Sequence, residues 1–187
     1  MLKPEIRILG IDDAPFNKFK KGKVLVIGTI FRGGSLLDGI ISTKVTIDGN
    51  DSTKKLISMI NKTKFKPQLR CIILDGIAVG GFNIIDIEEL NKKTSIPVIV
   101  VVRHEPDLEK IKSTLIKLNK KDKISLLEKA GKVRKINSIY AQLKGIDLET
   151  AKEILKLTCT RSNLPEPVRI AHLIASGVVT GESKGRA

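Results

Sequence analysis

Acidic side chains follow three apolar stretches of this sequence, at the points where predicted strands end. The acids are Asp12 and Asp13 after the first stretch, Asp48 after the second and Asp75 after the third. If these strands are neighbours in one sheet, the carboxylates converge at one edge, where they are costly to ionise without a cation. Carboxylate oxygens are the ligands that hard divalent cations prefer. The pattern therefore predicts a divalent metal site with Asp12, Asp13 and Asp75 as candidate ligands.

Each of these acids also has a structural interpretation. The first pair could cap the turn that follows its strand, and strand alternation points only one of its members toward a metal. Asp51 stands at the natural N-cap of the next predicted helix, although either Asp48 or Asp51 could supply a third, catalytic carboxylate. Asp75 begins a common Asp-Gly turn, but the glycine-rich segment 76–83 follows it. Such a loop lets a backbone or a phosphate approach closely.

The chain is strongly basic, with 34 Lys and Arg against 20 Asp and Glu and a net charge of +14. Lysine-rich surfaces also occur in heat-adapted proteins, but an uncompensated and clustered excess is typical of a protein with a polyanionic partner. We therefore expect nucleic acid, either DNA or RNA, as the partner. The clusters are Lys18, Lys20, Lys21 and Lys23; Lys117, Lys120, Lys121 and Lys123; and Lys129, Lys132, Arg134 and Lys135.

Other side chains are candidates for roles beside the acids. His172 lies in the last predicted helix and is a candidate catalytic residue, although a lone histidine is more often structural. Arg103 and Arg169 are candidate phosphate contacts, because a guanidinium group matches phosphate geometry with two hydrogen bonds. Phe16 and Phe82 follow two of the acids and could stack on bases, with core packing as their ordinary role.

Composition excludes several classes of protein. A chain of 187 residues is most simply one domain, 1–187, with a flexible polar tail at 181–187. The longest apolar stretch, 97–102, is too short to cross a bilayer, and the N-terminus lacks an apolar signal core. The chain has two cysteines without Cys-x-x-Cys spacing, which argues against zinc and a disulfide scaffold and fits a cytoplasmic protein. No P-loop or Gly-x-Gly-x-x-Gly fingerprint is present.

The order of predicted elements indicates the fold that positions the acids. Predicted strands cover 6–12, 24–31, 36–47 with a bulge at 38–39, 70–74 and 97–103, while 132–143 is one strand or a hairpin. Predicted helices cover 52–61, 85–93, 108–118, a segment from the cap Asp147 to about 158, and 168–177. Three meandering strands followed by alternating helices and strands predict a mixed α/β sheet. This is the order of the ribonuclease H-like fold, in which the first and fourth strands are central neighbours.

Several segments resemble endonuclease V and an uncharacterised, mainly archaeal family related to it. The matching segments are 74–82 with the strand 96–99, 145–151, 164–172, and Gly10-Ile11-Asp12 in the first strand. The resemblance spans nearly the whole chain, and segments 9–16 and 171–175 look closer to the archaeal branch. It implies a ribonuclease H-like, endonuclease V-like fold.

The resemblance also implies roles for single residues. Asp12 and Asp75 match metal ligands of endonuclease V, Arg103 stands where that family usually has a lysine, and His172 stands where it has an aspartate. The Tyr/Pro-rich wedge that ends in a catalytic glutamate has no counterpart in 31–52, where Asp48 or Asp51 is the positional replacement.

Together these observations lead us to expect a Mg²⁺- or Mn²⁺-dependent nuclease, a phosphodiesterase that cuts DNA or RNA. Two alternatives stay open. One is a catalytically inactive nucleic-acid-binding protein that retains the fold, and the other is an enzyme that acts on a small phosphate compound bound by the glycine-rich loop.

Overall fold

A mixed sheet flanked by helices forms the centre of the structure, a computed structural model that describes residues 3–183. The predicted flexible tail lies outside the described residues from position 184 onward. Within the described range the strands are β1 (Arg7–Asp13), β2 (Lys23–Arg32), β3 (Leu36–Thr46), β4 (Leu69–Asp75), β5 (Ala78–Val79), β6 (Asn83–Ile84), β7 (Val98–Val102), β8 (Arg134–Ile136) and β9 (Ile139–Lys144). The helices are α1 (Ser52–Lys62), α2 (Ile87–Thr94), α3 (Leu108–Lys117), α4 (Ile124–Lys129), α5 (Leu148–Thr158) and α6 (Glu166–Thr180), with short 3-10 turns at Lys66–Gln68 and Lys121–Lys123.

Seven of the described strands form one sheet in the order β3-β2-β1-β4-β7-β9-β8, and β5 pairs with β6 separately. The first three strands are an antiparallel meander, β1 pairs with β4 in parallel, and β4 pairs with β7 in parallel. The predicted ribonuclease H-like order is therefore confirmed, including the central pairing of β1 with β4. The segment left open as one strand or a hairpin is the hairpin β8–β9, whose second strand runs antiparallel to β7.

Successive residues of the central strands point alternately to two apolar cores, one on each face of the sheet. Leu9, Ile11, Ile72 and Leu74 belong to the core that includes the α1 residues Leu56 and Ile60. The neighbouring positions Ile8, Cys71 and Ile73 belong to the core with the α5 residues Ala151, Ile154 and Leu155. Because both faces are covered, these strands are apolar on both sides, which explains their nearly continuous hydrophobic runs.

Local turn and cap signals placed most element ends correctly. The predicted bulge is confirmed, because Ile30 pairs with Gly39 while Phe31 pairs with Leu37. The predicted start of α2 is two residues too early, because Asp86 is its N-cap and accepts a hydrogen bond from the Glu89 amide. Asp147 caps α5 as predicted, through the Thr150 amide. None of the helices described is long and apolar enough to span a membrane.

Helix α6 lies directly on the central strands because β1 has a glycine beneath it. A Cβ at Gly10 would overlap the backbone and ring of Pro167 and lie 2.5 Å from the Val168 amide nitrogen. Thr29 in β2 also donates a hydrogen bond to the Pro167 carbonyl. The first turn of α6 is therefore fixed against the middle of the sheet.

We expect Gly10→Ala to lower the free energy of unfolding by about 1–3 kcal/mol, because the added methyl group forces α6 away from β1. Chemical denaturation followed by circular dichroism measures this loss. Gly22→Ala is the matched control, since a Cβ there has only the Ile47 Cδ1 atom nearby, at 3.9 Å. Equal stability of the two variants would contradict the close packing of α6.

Candidate functional site

The parallel pairing of β1 with β4 sets Asp12 beside Asp75 at the carboxyl edge of the sheet. The register pairs Ile11 with Leu74, and the two aspartates follow directly after that pair. Laterally paired residues of neighbouring strands point to the same face. Both carboxylates therefore lie on the face that carries α6.

His172 from α6 contacts the first of these acids. Its Nδ1 atom lies 2.8 Å from the Asp12 Oδ2 atom, and the Asp12 side chain is only 8% exposed. The donor in this hydrogen bond is either the Nδ1–H of one histidine tautomer or the protonated carboxyl group of Asp12. The second Asp12 oxygen, Oδ1, accepts a hydrogen bond of 2.8 Å from the Asp13 amide.

Asp13 points to the opposite face of β1, as strand alternation predicts. Its Oδ2 atom accepts a hydrogen bond of 2.7 Å from the Gly80 amide in the glycine-rich loop. Gly80 has a φ of +59°, a left-handed conformation that glycine adopts without strain. Asp13 thus holds the loop against the sheet, whereas Asp12 faces His172.

Burial and mutual repulsion favour the protonated forms of these carboxyl groups. Burial is the largest influence on Asp12, and the charges of Asp75 and Asp13 add to it, so that its pKa rises to about 9. Burial also raises the pKa of Asp13, although the Gly80 hydrogen bond opposes the rise. The pKa of Asp75 is raised by burial against the opposing charges of Arg103 and His172.

A divalent cation fits the chemistry of this edge, because it would relieve the repulsion between Asp12 and Asp75. The number of protein donors is small, however. Among residues 3–183 no group of three or more His, Cys, Asp or Glu side chains is arranged to hold a metal ion. The structure therefore brings the predicted ligands to one edge without closing a full coordination shell. An ion bound there requires further oxygens from solvent or substrate.

The candidates for a third carboxylate have other partners. Asp51 stands at the N-cap position of α1 but makes no capping hydrogen bond, so its predicted capping role is wrong. Its carboxylate instead accepts hydrogen bonds from Thr46 and from the Asn83 side chain. Burial disfavours the charged form of Asp51, but these hydrogen bonds outweigh it and lower the pKa. The Asp48 Oδ1 atom accepts a hydrogen bond of 2.8 Å from the Phe82 amide.

A buried lysine that the sequence did not single out holds these loops together. Lys123 is only 3% exposed, and its ammonium group donates to the carbonyls of Asp48 (3.1 Å), Gly49 (2.6 Å) and Phe82 (2.6 Å). Three donors thus meet three acceptors. Burial and the nearby charge of Lys120 lower the Lys123 pKa. In the sequence Lys123 is one more member of a lysine cluster, and no local signal marks it as buried.

The two predicted phosphate-binding arginines have different surroundings. Arg103 follows β7, lies close enough to Asp75 to lower its pKa, and lines an open cavity of about 440 Å³ with Ser138 and Asn163. Arg169 instead makes two hydrogen bonds, of 2.9 and 2.7 Å, to the buried carboxylate of Glu166 one turn earlier in α6. The Arg169 guanidinium is thus held within α6 by Glu166.

The lysines and phenylalanines that were predicted to contact nucleic acid lie in the β1–β2 loop and in the apolar cores. Lys18, Lys20 and Lys21 are exposed in the loop between β1 and β2, which begins directly after Asp13. Phe16 packs against the larger apolar core, and Phe82 packs against the small cluster around Leu115.

Solved structures with this architecture identify the class of fold. Endonuclease V of Bacillus subtilis matches with a TM-score of 0.63 and 14% identity, over 96% of this chain and 84% of that chain. Endonuclease V of Ciona intestinalis, in complex with a 24mer DNA containing an inosine followed by a ribo-adenosine, matches with a TM-score of 0.55 and 18% identity, over 89% and 82%. The chain therefore has an endonuclease V-like fold, as the sequence resemblance predicts.

Comparison at higher identity narrows the class to one family. The sequence profile of the family described as Endonuclease dU matches residues 4–179. A UPF0215 protein of Methanothermobacter thermautotrophicus is 49% identical over 100% of this chain and 94% of its own length. The crystal structure of a protein of unknown function from Archaeoglobus fulgidus has a TM-score of 0.87 and 41% identity, over 92% of this chain and 98% of that one. The chain belongs to the Endonuclease dU family.

Asp12 makes the stability of the metal-free protein depend on pH. Its pKa is about 9 in the folded chain and about 3.9 in an unfolded chain, so the folded state keeps a proton that the unfolded state loses. The free energy of unfolding therefore falls as pH rises between these values. We expect Asp12→Asn to gain stability relative to wild type as pH rises, by at most about 1.4 kcal/mol per pH unit.

Urea unfolding in EDTA at about pH 5 and about pH 8 measures this difference over the window in which Asp12 matters. Asp122→Asn, at an exposed carboxylate between two lysines, is the matched control. A stability difference between Asp12→Asn and wild type that does not change with pH would contradict the raised pKa.

Lys123→Met removes the ammonium group that donates to the Gly49 and Phe82 carbonyls, whereas the Asp48 carbonyl keeps the Lys120 ammonium group as a donor at 2.9 Å. We expect a loss of about 2 kcal/mol in the free energy of unfolding, together with faster hydrogen exchange at the amides of Gly80 and Phe82. Lys121→Met, at an exposed position in the same 3-10 turn, controls for the loss of one positive charge. Unchanged exchange in the glycine-rich loop would show that Lys123 does not hold it.

Proposed function

We propose that the protein is a Mg²⁺- or Mn²⁺-dependent nuclease that hydrolyses a phosphodiester bond in DNA or RNA. The observation that carries this proposal is the juxtaposition of Asp12 and Asp75 on paired strand ends, with His172 on Asp12. Two buried carboxylates with raised pKa values are costly for the apo protein. That cost supports a role in binding positive charge.

Each residue at this edge has a part in the proposed reaction. A divalent cation bound here would supply charge stabilisation and an acidified water. Asp12 and Asp75 are the residues that would hold this cation. His172 fixes the orientation of the Asp12 carboxylate through its Nδ1 atom, in the way that outer partners orient ligating groups. Arg103, beside Asp75, pairs with a substrate phosphate.

A cavity with room for a nucleobase lies at the end of β4, on the face of the sheet opposite Asp75, because Val100 and Val102 line it whereas Asp75 pairs with Val101. This apolar cavity of about 230 Å³ opens at Gly76, directly after Asp75, and Ile77 and Tyr140 also line it. Enzymes that recognise one base commonly take it out of the stack into such a pocket. The family description, Endonuclease dU, and the inosine in the DNA bound by the Ciona endonuclease V both name deaminated bases. We therefore propose a deaminated base as the recognised feature.

The decisive experiment uses labelled DNA and RNA oligonucleotides, single- and double-stranded, that contain deoxyuridine, an inosine nucleotide or no modification. We expect cleavage of at least one substrate with Mg²⁺ or Mn²⁺, and none in EDTA. Asp75→Asn should lower the rate by about 100-fold or more, because it removes a direct metal ligand. Asp122→Asn should cleave like wild type. A cleavage rate unaffected by Asp75→Asn would overturn the assignment of the site.

A nucleic-acid-binding protein without catalysis is the second candidate, and one observation favours it. The described residues contain no metal-binding group of three ligands, and the carboxylates of Asp48 and Asp51 have other partners. This candidate predicts binding that weakens as salt rises, without cleavage of any oligonucleotide in either metal. Calorimetric titration of Mn²⁺ in the presence of a bound oligonucleotide separates the two, because only the nuclease is expected to bind the cation in an Asp75-dependent manner.

A further inference from the structure

One aromatic side chain of this protein is exposed to solvent. The chain has five phenylalanines and one tyrosine, and all of them lie within the described residues. Phe19 is 87% exposed, whereas Phe31 is buried and Phe16, Phe65, Phe82 and Tyr140 are partly buried. An exposed phenylalanine side chain does not contribute the free energy of hydrophobic burial to folding. Its position therefore suggests a contact with another molecule.

The surroundings of Phe19 are strongly basic. It lies in the β1–β2 loop, residues 14–22, where Lys18, Lys20 and Lys21 are exposed. Residues 14–23, which are this loop and Lys23 after it, include no acidic residue. The Lys18 ammonium group lies 5.3 Å from the centre of the Phe19 ring. An aromatic face among uncompensated lysines matches a molecule that carries both flat rings and negative charge.

The base of the loop is fixed at the candidate site. The loop begins directly after Asp13, which accepts a hydrogen bond from Gly80, and the Ala14 amide donates to the Leu25 carbonyl. At the other end the Gly22 carbonyl accepts a hydrogen bond from the Ile47 amide. The tip is a tight turn in which the Phe19 amide donates to the Asn17 side chain at 2.9 Å and the Lys20 amide to the Asn17 carbonyl at 3.0 Å.

We propose that Phe19 stacks on an unpaired base of the nucleic acid that reaches the Asp12–Asp75 edge, while Lys18, Lys20 and Lys21 pair with the phosphates beside that base. This inference rests on the proposed function and deepens it. Base stacking on aromatic side chains is tolerant of sequence, because every base has a flat face. The loop therefore selects single-stranded or unpaired segments over a fully stacked duplex.

The first test measures binding without cleavage, in EDTA at low salt. The probes are oligothymidylate and an abasic oligomer of the same length, which carries the same phosphates without bases. We expect Phe19→Ala to weaken oligothymidylate binding by about tenfold and to leave binding of the abasic oligomer unchanged. Phe19→Tyr, which keeps a ring, should bind oligothymidylate like wild type.

The second test reports stacking directly. The chain contains no tryptophan, so Phe19→Trp introduces a single tryptophan at the loop tip, whose emission can be excited apart from that of Tyr140. We expect oligothymidylate to quench its emission and the abasic oligomer to leave it nearly unchanged. Leu36→Trp is the matched control, because Leu36 is 50% exposed at the opposite end of the sheet, where β3 begins beside the end of β2.

The outcomes separate this proposal from the proposed function. Equal oligothymidylate affinity of wild type and Phe19→Ala, or equal quenching by both oligomers, would overturn the stacking role and leave the nuclease assay unaffected. Absence of any oligonucleotide binding by the wild type would overturn both. If Phe19→Ala abolishes self-association but not oligonucleotide binding, Phe19 contacts a second copy of the chain and the proposal is wrong.

Discussion

The parallel pairing of β1 with β4 is the interaction on which the site depends. It fixes the register at which Asp12 and Asp75 leave the sheet side by side, directly after the apolar pair Ile11 and Leu74. Burial raises the pKa of both carboxyl groups, and the charge of Asp75 adds to the rise for Asp12. The charge of Arg103 near Asp75 and the hydrogen bond between His172 and Asp12 offset part of the cost of burying these groups.

The surrounding loops are built to keep this edge in one arrangement. Asp13 fixes Gly80, and the Asp48 amide donates to the carbonyl of that same glycine. The Lys123 ammonium group then links the two loops, because it donates hydrogen bonds to the backbone carbonyls of Asp48 and Phe82. A buried ammonium group with all three protons engaged is a stiff connection, because breaking it leaves the charge and the Gly49 and Phe82 carbonyls unsatisfied. The glycine-rich segment is therefore held in place despite its backbone freedom.

Charge is divided sharply between this edge and the rest of the surface. The carboxylates are buried at the end of β1 and β4, whereas the lysines of the β1–β2 loop begin only a few residues further along the chain. A basic surface draws in a polyanion, and an acidic edge repels it unless a cation lies between them. If the proposed function holds, this arrangement gives a physical reason for metal and nucleic acid to bind together at this edge.

Much of this architecture could be predicted from the sequence, because its signals are local. Apolar runs that end in acids marked β1 and β4, while Asp147 marked the start of α5, which the structure confirms. Local reasoning was wrong at Asp51, because Thr46 and Asn83 compete for the carboxylate that would cap α1. Arg169 pairs with Glu166 three residues earlier in α6, a spacing that is visible in the sequence, and its contact with phosphate stays a prediction.

The sequence by itself thus determined the strand ends, the acids on them and the excess of positive charge. Only the tertiary structure decided which acid meets His172, which lysine is buried and which aromatic residue is exposed. The Asp12–His172 contact joins residues 160 positions apart, and the contact of Lys123 with Phe82 joins residues 41 positions apart. Hydrogen bonding and burial depend on such distant neighbours, and a residue's own segment does not encode them.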